Sequence, residues 1–180
     1  MSRICVYCGA RPGRDDVYLG IARGVGRAIV ARGDSIVYGG GRVGMMGALA
    51  DAALGAGGEV VGVIPKALAT AEVAHGGLTQ LHLVDSMHER KALLTELSDA
   101  FIALPGGIGT MDELFEALTW RQLGIHDKPV GILNADGYYD ALLSLLDRML
   151  EEGLLPPRSR TMLVVHDDIV ALLAKLKSEA

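Results

Sequence analysis

Between Leu104 and Glu113 the chain reads Leu-Pro-Gly-Gly-Ile-Gly-Thr-Met-Asp-Glu, a glycine-rich turn that follows an apolar run and leads into helical spacing. The first N–H groups of a helix have no partners within it, and the helix dipole is positive at that end. Such a turn is therefore a place to hold a phosphate. It lacks the Gly-Lys-Thr of a P-loop and has no evident magnesium ligand, so the phosphate reads as a handle on the ligand and not as the reacting group. Gly106, Gly107, Ile108, Gly109 and Thr110 are the candidate contacts. Glu113 follows three residues after Thr110, and Thr-x-x-Glu is also the pattern of a capping box, which alone would explain both residues. A carboxylate in a first helical turn is favoured in its charged form by the dipole, which suits a base or a stabiliser of positive charge better than an acid.

Two further segments carry candidate chemistry. Met87-His88-Glu89-Arg90-Lys91 stands at a helix start, where two cations oppose the dipole and so point to an anionic partner. A solvated charged turn accounts for Arg90-Lys91 taken alone. Beside the glycine loops, Arg90 becomes a candidate for holding phosphate or ribose and for positioning Glu113, with Lys91 a weaker candidate for the same anion. Gly39-Gly40-Gly41-Arg42-Val43-Gly44-Met45-Met46-Gly47 contains a literal G-x-G-x-x-G. A dinucleotide reading is disfavoured, because the motif does not follow the first strand and Glu59 stands at the start of the next strand instead of its end. Tight turns explain one or two of these glycines; three in a row point to close backbone approach to a ligand at Gly40 and Gly41.

A fixed carboxylate next to a phosphate handle fits cleavage of a nucleotide's N-glycosidic bond. As the C1′–N9 bond lengthens, positive charge develops on the ribose, and Glu113 beside C1′ would stabilise it and orient the attacking water. The proton donor to the leaving base is left open: Asp112 and His88 lie close by in sequence, and solvent serves equally.

The elements that must position these residues alternate. Strand-like runs fall at Ile4 to Tyr7, Ser35 to Tyr38, Val60 to Ile64, Leu81 to Val84, Ala100 to Leu104, Val130 to Leu133 and Met162 to Val165. Helical spacing covers Val17 to Arg32, Met45 to Leu54, Met87 to Ser98, Met111 to Leu123, Tyr138 to Glu152 and Ile169 to Lys177. Repeated βα units predict a single-domain Rossmann-like α/β fold over residues 1–180, three layers deep, with a mainly parallel sheet and helices on both faces. Ligands in such sheets sit beyond the carboxyl ends of the strands. Pro65 to Thr79 breaks the rhythm and reads as an irregular lid or edge loop.

Composition agrees: half of the 180 residues are hydrophobic, 24 are glycine and only 4% are aromatic, as in sheets built from Val, Ile and Leu. Net charge is -5 with scattered Lys and Arg, which argues against nucleic acid as a partner. With neither a signal peptide nor a long apolar run, the expectation is a cytoplasmic protein with no membrane partner. Cys5 and Cys8 form a C-x-x-C on a strand, where side chains three apart face opposite ways. They read as reduced, buried thiols and not as metal ligands.

Together these motifs resemble the Lonely Guy (LOG) family, the cytokinin riboside 5′-monophosphate phosphoribohydrolases, whose hallmark P-G-G-x-G-T-x-x-E stands intact from Pro105 to Glu113. The similarity runs through Cys5-Val6-Tyr7-Cys8-Gly9, the Gly39 loop, Met87 to Lys91 and Leu118 to Pro129. It implies release of free base and ribose 5-phosphate without a cofactor or metal, with Arg90 and Glu113 essential. It further implies nucleotide contacts at Lys91, Gly106 to Thr110 and Thr119; Met111, Asp112, Gly40, Gly41 and Met87 complete the candidate binding set. Homodimers or larger assemblies are also implied, with apolar positions such as Leu114, Phe115, Leu118 and Trp120 serving either a partner or the core. AMP is expected beside the cytokinin nucleotides, since both present adenine and a 5′-phosphate. Relatives often carry a lysine decarboxylase label, but this chain shows no recognisable Schiff-base lysine setting. One departure is Ala10-Arg11 where the family often has two serines after Cys-Gly; Arg11 is then either a phosphate contact or a solvated side chain. The rival reading is a catalytically silent carrier of a nucleotide or phosphorylated cofactor, against which the joint presence of Arg90 and Glu113 argues.

Overall fold

Among the described residues the seven apolar runs become seven strands: β1 (Arg3–Tyr7), β2 (Ser35–Tyr38), β3 (Val60–Pro65), β4 (Gln80–Val84), β5 (Ala100–Ala103), β6 (Val130–Leu133) and β7 (Leu163–His166). The computed structural model describes residues 1–69 and 73–179. All seven strands pair in parallel in one sheet of order β4-β3-β2-β1-β5-β6-β7. Strands β2, β3, β5 and β6 are buried along their whole length, which explains why they read as continuous Val, Ile and Ala runs instead of alternating ones. Edge strand β4 has no fully buried residue, and its Leu83 is 53% exposed.

Among the described residues seven α-helices cover the two faces: α1 (Val17–Ala31), α2 (Gly44–Gly55), α3 (Met87–Leu97), α4 (Ile108–Gln122), α5 (Asp140–Glu151), α6 (Pro157–Thr161) and α7 (Ile169–Glu179). Because successive strand residues face opposite ways, the sheet divides the core in two. Ile4, Val6, Ile36 and Ile102 pack with Val25 and Ile29 of α1, Leu49 of α2 and Leu172 of α7. Cys5, Tyr7, Val37 and Phe101 pack on the other face with Leu94 of α3, Leu114 of α4 and Leu146 of α5. Helices α1 and α2 approach so closely that a Cβ on Gly26 would lie 2.5 Å from the Leu49 carbonyl oxygen. Cys5 and Cys8 are unbridged, buried, and on opposite sides of the sheet.

Several boundaries differ from the sequence expectation. Helix α4 begins at Ile108, not Met111, with Gly107 as its N-cap and no side-chain cap. Thr110 therefore sits within the first turn and Glu113 in the second, so Thr-x-x-Glu is not a capping box here. The working cap of this kind belongs to α3: the Ser86 hydroxyl accepts from the Glu89 N–H at 3.1 Å, and the Glu89 carboxylate accepts from the Asp85 N–H at 2.8 Å. Helix α5 begins at Asp140 instead of Tyr138, because a tight turn at Ala135–Gly137, with Asp136 at φ 51, precedes it. The short helix α6, with Pro157 in its first turn, has no counterpart in the periodicity. Among the described residues of the segment Pro65 to Thr79 the chain forms a 3-10 turn at Lys66–Leu68 and an antiparallel bridge between Ala74 and Gly41; Thr70, Ala71 and Glu72 lie outside the described residues.

Candidate active site

The strand order reverses at β1, whose neighbours β2 and β5 lead the chain to opposite sides of the sheet. Loops leaving such a switch point diverge and leave a crevice between them. A cavity of about 680 Å³ opens there. It is lined by Cys8 to Arg11 after β1, Gly39 and Gly41 after β2, Ile64 and Pro65 at the end of β3, and Pro105 to Gly107, Gly109 and Thr110 after β5. Arg90, Glu113 and Tyr138 complete the polar part, while Met45, Met46, Leu68 and Val73 give it an apolar part.

Arg90 enters from the first turn of α3 and is held on all sides. Its Nε donates to the Val63 carbonyl at 3.1 Å, Nη2 to the Gly39 carbonyl at 3.4 Å, and Nη1 to Glu113 Oε1 at 3.0 Å. The two side chains are 13% and 12% exposed. Gly39 exists for this guanidinium: a Cβ there would fall 2.1 Å from Nη2. Burial pushes the Glu113 carboxyl above the usual carboxylate range, and the facing Arg90 charge opposes that rise without cancelling it. The expected dipole effect of a first-turn position does not apply, since Glu113 stands one turn further in.

Beside this pair, the Gly107 end of α4 carries no side-chain cap, so its leading N–H groups remain available to a ligand. Gly106 is required by its neighbours, because a Cβ on it would meet Thr110 Oγ1 at 2.1 Å. The Cys8 thiol, although it lines the cavity, is pushed up by burial and so stays neutral and a poor nucleophile.

Of the residues singled out by sequence, Arg90, Glu113, Gly106, Gly107, Gly109, Thr110 and Gly41 line this cavity, as do Ala10 and Arg11. Lys91 instead pairs with Asp112 at 2.7 Å and Glu116 at 3.5 Å, between α3 and α4. Met87, Thr119 and Ile108 are exposed outside the lining, and Met111 packs partly buried against the core. Gly40, at φ 74, turns its back on Ile64 and Leu81 and serves the loop's shape. His88 is exposed outside the lining, as is Asp112, the partner of Lys91. Leu114 is core, with Phe115 and Leu118 packed partly against it. Tyr18, Tyr138, Ile64 and Val73 were not legible as site residues: no local motif marks them, and they reach the cavity only through tertiary folding. Among the described residues no three His, Cys, Asp or Glu side chains form a metal-ligand group, and no helix is long and apolar enough to cross a membrane.

Residues 46–176 match a family model described as "Possible lysine decarboxylase". A cytokinin riboside 5′-monophosphate phosphoribohydrolase of Rhodococcoides fascians is 52% identical over 97% of this chain and 89% of its own length. One from Arabidopsis thaliana is 46% identical over 99% of this chain and 83% of its own. Among solved structures, the molybdenum cofactor carrier protein of Chlamydomonas reinhardtii superposes with a TM-score of 0.73 at 22% identity, covering 99% of this chain and 97% of that one; this likeness concerns the fold alone.

Proposed function

Because the chain belongs to the cytokinin riboside 5′-monophosphate phosphoribohydrolase family, we propose that it hydrolyses the N-glycosidic bond of these nucleotides, releasing the free cytokinin base and ribose 5-phosphate, with AMP as a further substrate. The observation that carries the reading is the Arg90–Glu113 pair at 3.0 Å inside a cavity whose wall is the uncapped start of α4. The 5′-phosphate takes the N–H groups following Gly106. Glu113 faces C1′ and stabilises the positive charge that grows there, while also orienting water. Arg90, bound to two backbone carbonyls besides Glu113, keeps the carboxylate aimed. The apolar wall of Met46, Ile64, Leu68 and Val73 suits the base and an N6 substituent. Among the described residues no lysine side chain lines the cavity.

The test is incubation with isopentenyladenosine 5′-monophosphate, AMP and the unphosphorylated riboside, with free base and ribose 5-phosphate quantified. Base release from the nucleotides, and its loss by about 10²-fold or more in Glu113→Gln, is the expected result. Nucleotide binding without release of base would instead restore the silent-carrier reading. We also propose a homodimer, for which the exposed Leu123 and Ile125 at the end of α4, 66% and 62% accessible, offer apolar surface; sedimentation velocity at micromolar concentration distinguishes dimer from monomer.

A further inference from the structure

The turn after β6 sets two adjacent tyrosines against the loop that follows β5. Tyr138 Oη donates to the Gly106 carbonyl at 2.6 Å, and Tyr139 Oη donates to the Leu104 carbonyl. Between them, the Pro105 carbonyl accepts from the Gly9 N–H at 3.2 Å. Three consecutive carbonyls of the loop are thus tied to donors from outside it. The turn is itself braced: Asn134 Oδ1 accepts from the Tyr139 N–H and Asn134 Nδ2 donates to Asp140, each at 2.8 Å.

The two hydroxyls serve different ends. Tyr139 is 1% exposed and belongs to the core, where a buried phenol needs an acceptor. Tyr138 is 43% exposed at the cavity rim, its ring edge-on to Tyr18 and Tyr139. Phenylalanine would keep those ring contacts, so packing does not account for the hydroxyl.

Its effect lies in the peptide it holds. In a trans peptide the C=O and N–H point in opposite directions. Tying the Gly106 oxygen to Tyr138 therefore turns the Gly107 N–H the other way, in company with the unpartnered N–H groups of α4. A peptide between two glycines turns over readily, because the second residue can take a positive φ. Gly107 sits at φ -90, and a Cβ on it would meet nothing within 4 Å, so its own surroundings leave room for the turnover. The overturned peptide would present a carbonyl oxygen where an N–H had been, and an anion there would face a lone pair.

We propose that Tyr138 is a positioning residue that holds the Gly106–Gly107 peptide with its N–H toward the ligand, and so sets the preference for phosphorylated over unphosphorylated ligands. This rests on the reading that the loop takes a 5′-phosphate. The experiment is Tyr138→Phe, with ribose 5-phosphate and free isopentenyladenine titrated separately into the whole protein by calorimetry. The expected result is ribose 5-phosphate affinity about tenfold weaker, with one ligand hydrogen bond lost and an acceptor turned inward, base affinity within about twofold, KM for the nucleotide up in proportion and kcat nearly unchanged. Equal ribose 5-phosphate affinity in variant and wild type, or parallel weakening of both ligands, overturns the proposal alone. Failure of the wild type to bind ribose 5-phosphate overturns the phosphate reading, and the proposal with it.

Discussion

Arg90 and Glu113 show how one contact sets both geometry and protonation. Burial raises the Glu113 pKa and Arg90 pulls against it, while attraction between the two is offset by the cost of removing both charges from water. The ionised form is the one that can face a sugar cation. Activity therefore falls as pH drops through this raised pKa, placing the acid limb of kcat/KM above the range of an exposed glutamate. In Arg90→Gln the opposing charge is gone, so the limb of whatever activity survives moves to still higher pH; a pH–rate profile of the two proteins checks both statements. Gly39→Ala is the steric counterpart, with a methyl directed at Nη2. It is expected to lower kcat by about tenfold or more, since small misplacements near the reacting atoms have large effects, and steady-state kinetics reads it directly.

At the scale of elements, the N-terminus of α3 carries Arg90, and its cap is the Ser86 hydroxyl. Ser86→Ala should cost about 1 kcal/mol of stability, read as a lower midpoint in urea. The strands were legible in the sequence because buried parallel strands are unbroken apolar runs, and β2 and β6 occupy the very residues those runs mark. The start of α4 was not. Ile108 is helical yet 89% exposed, so the apolar rhythm begins later than the helix does. That displacement also made Thr110 and Glu113 look like a cap, whereas the Ser86-Met87-His88-Glu89 stretch, with the same pattern, was the real one. Motif residues on loops could be read locally; Tyr138 could not, because its partner Gly106 lies 32 residues away in sequence, on the loop after the neighbouring strand.

For the whole molecule, a sheet with every strand parallel gathers all its outgoing loops at one edge, so Gly9, Gly39, Pro65 and Gly106 meet although they are far apart in sequence. The separation of Cys5 and Cys8 by the sheet has a practical side. Both thiols are buried and held neutral, that of Cys5 up at about 12, so a thiol-reactive dye must wait for the chain to open. Cys8 borders the cavity and Cys5 does not. Dye should reach Cys8 through local breathing and be slowed there by bound nucleotide, whereas Cys5 should react only on the timescale of global unfolding; mass spectrometry of the two labelled peptides separates them. The two cysteines thereby work as a two-channel clock, timing the opening of the cavity and the loss of the fold in a single sample.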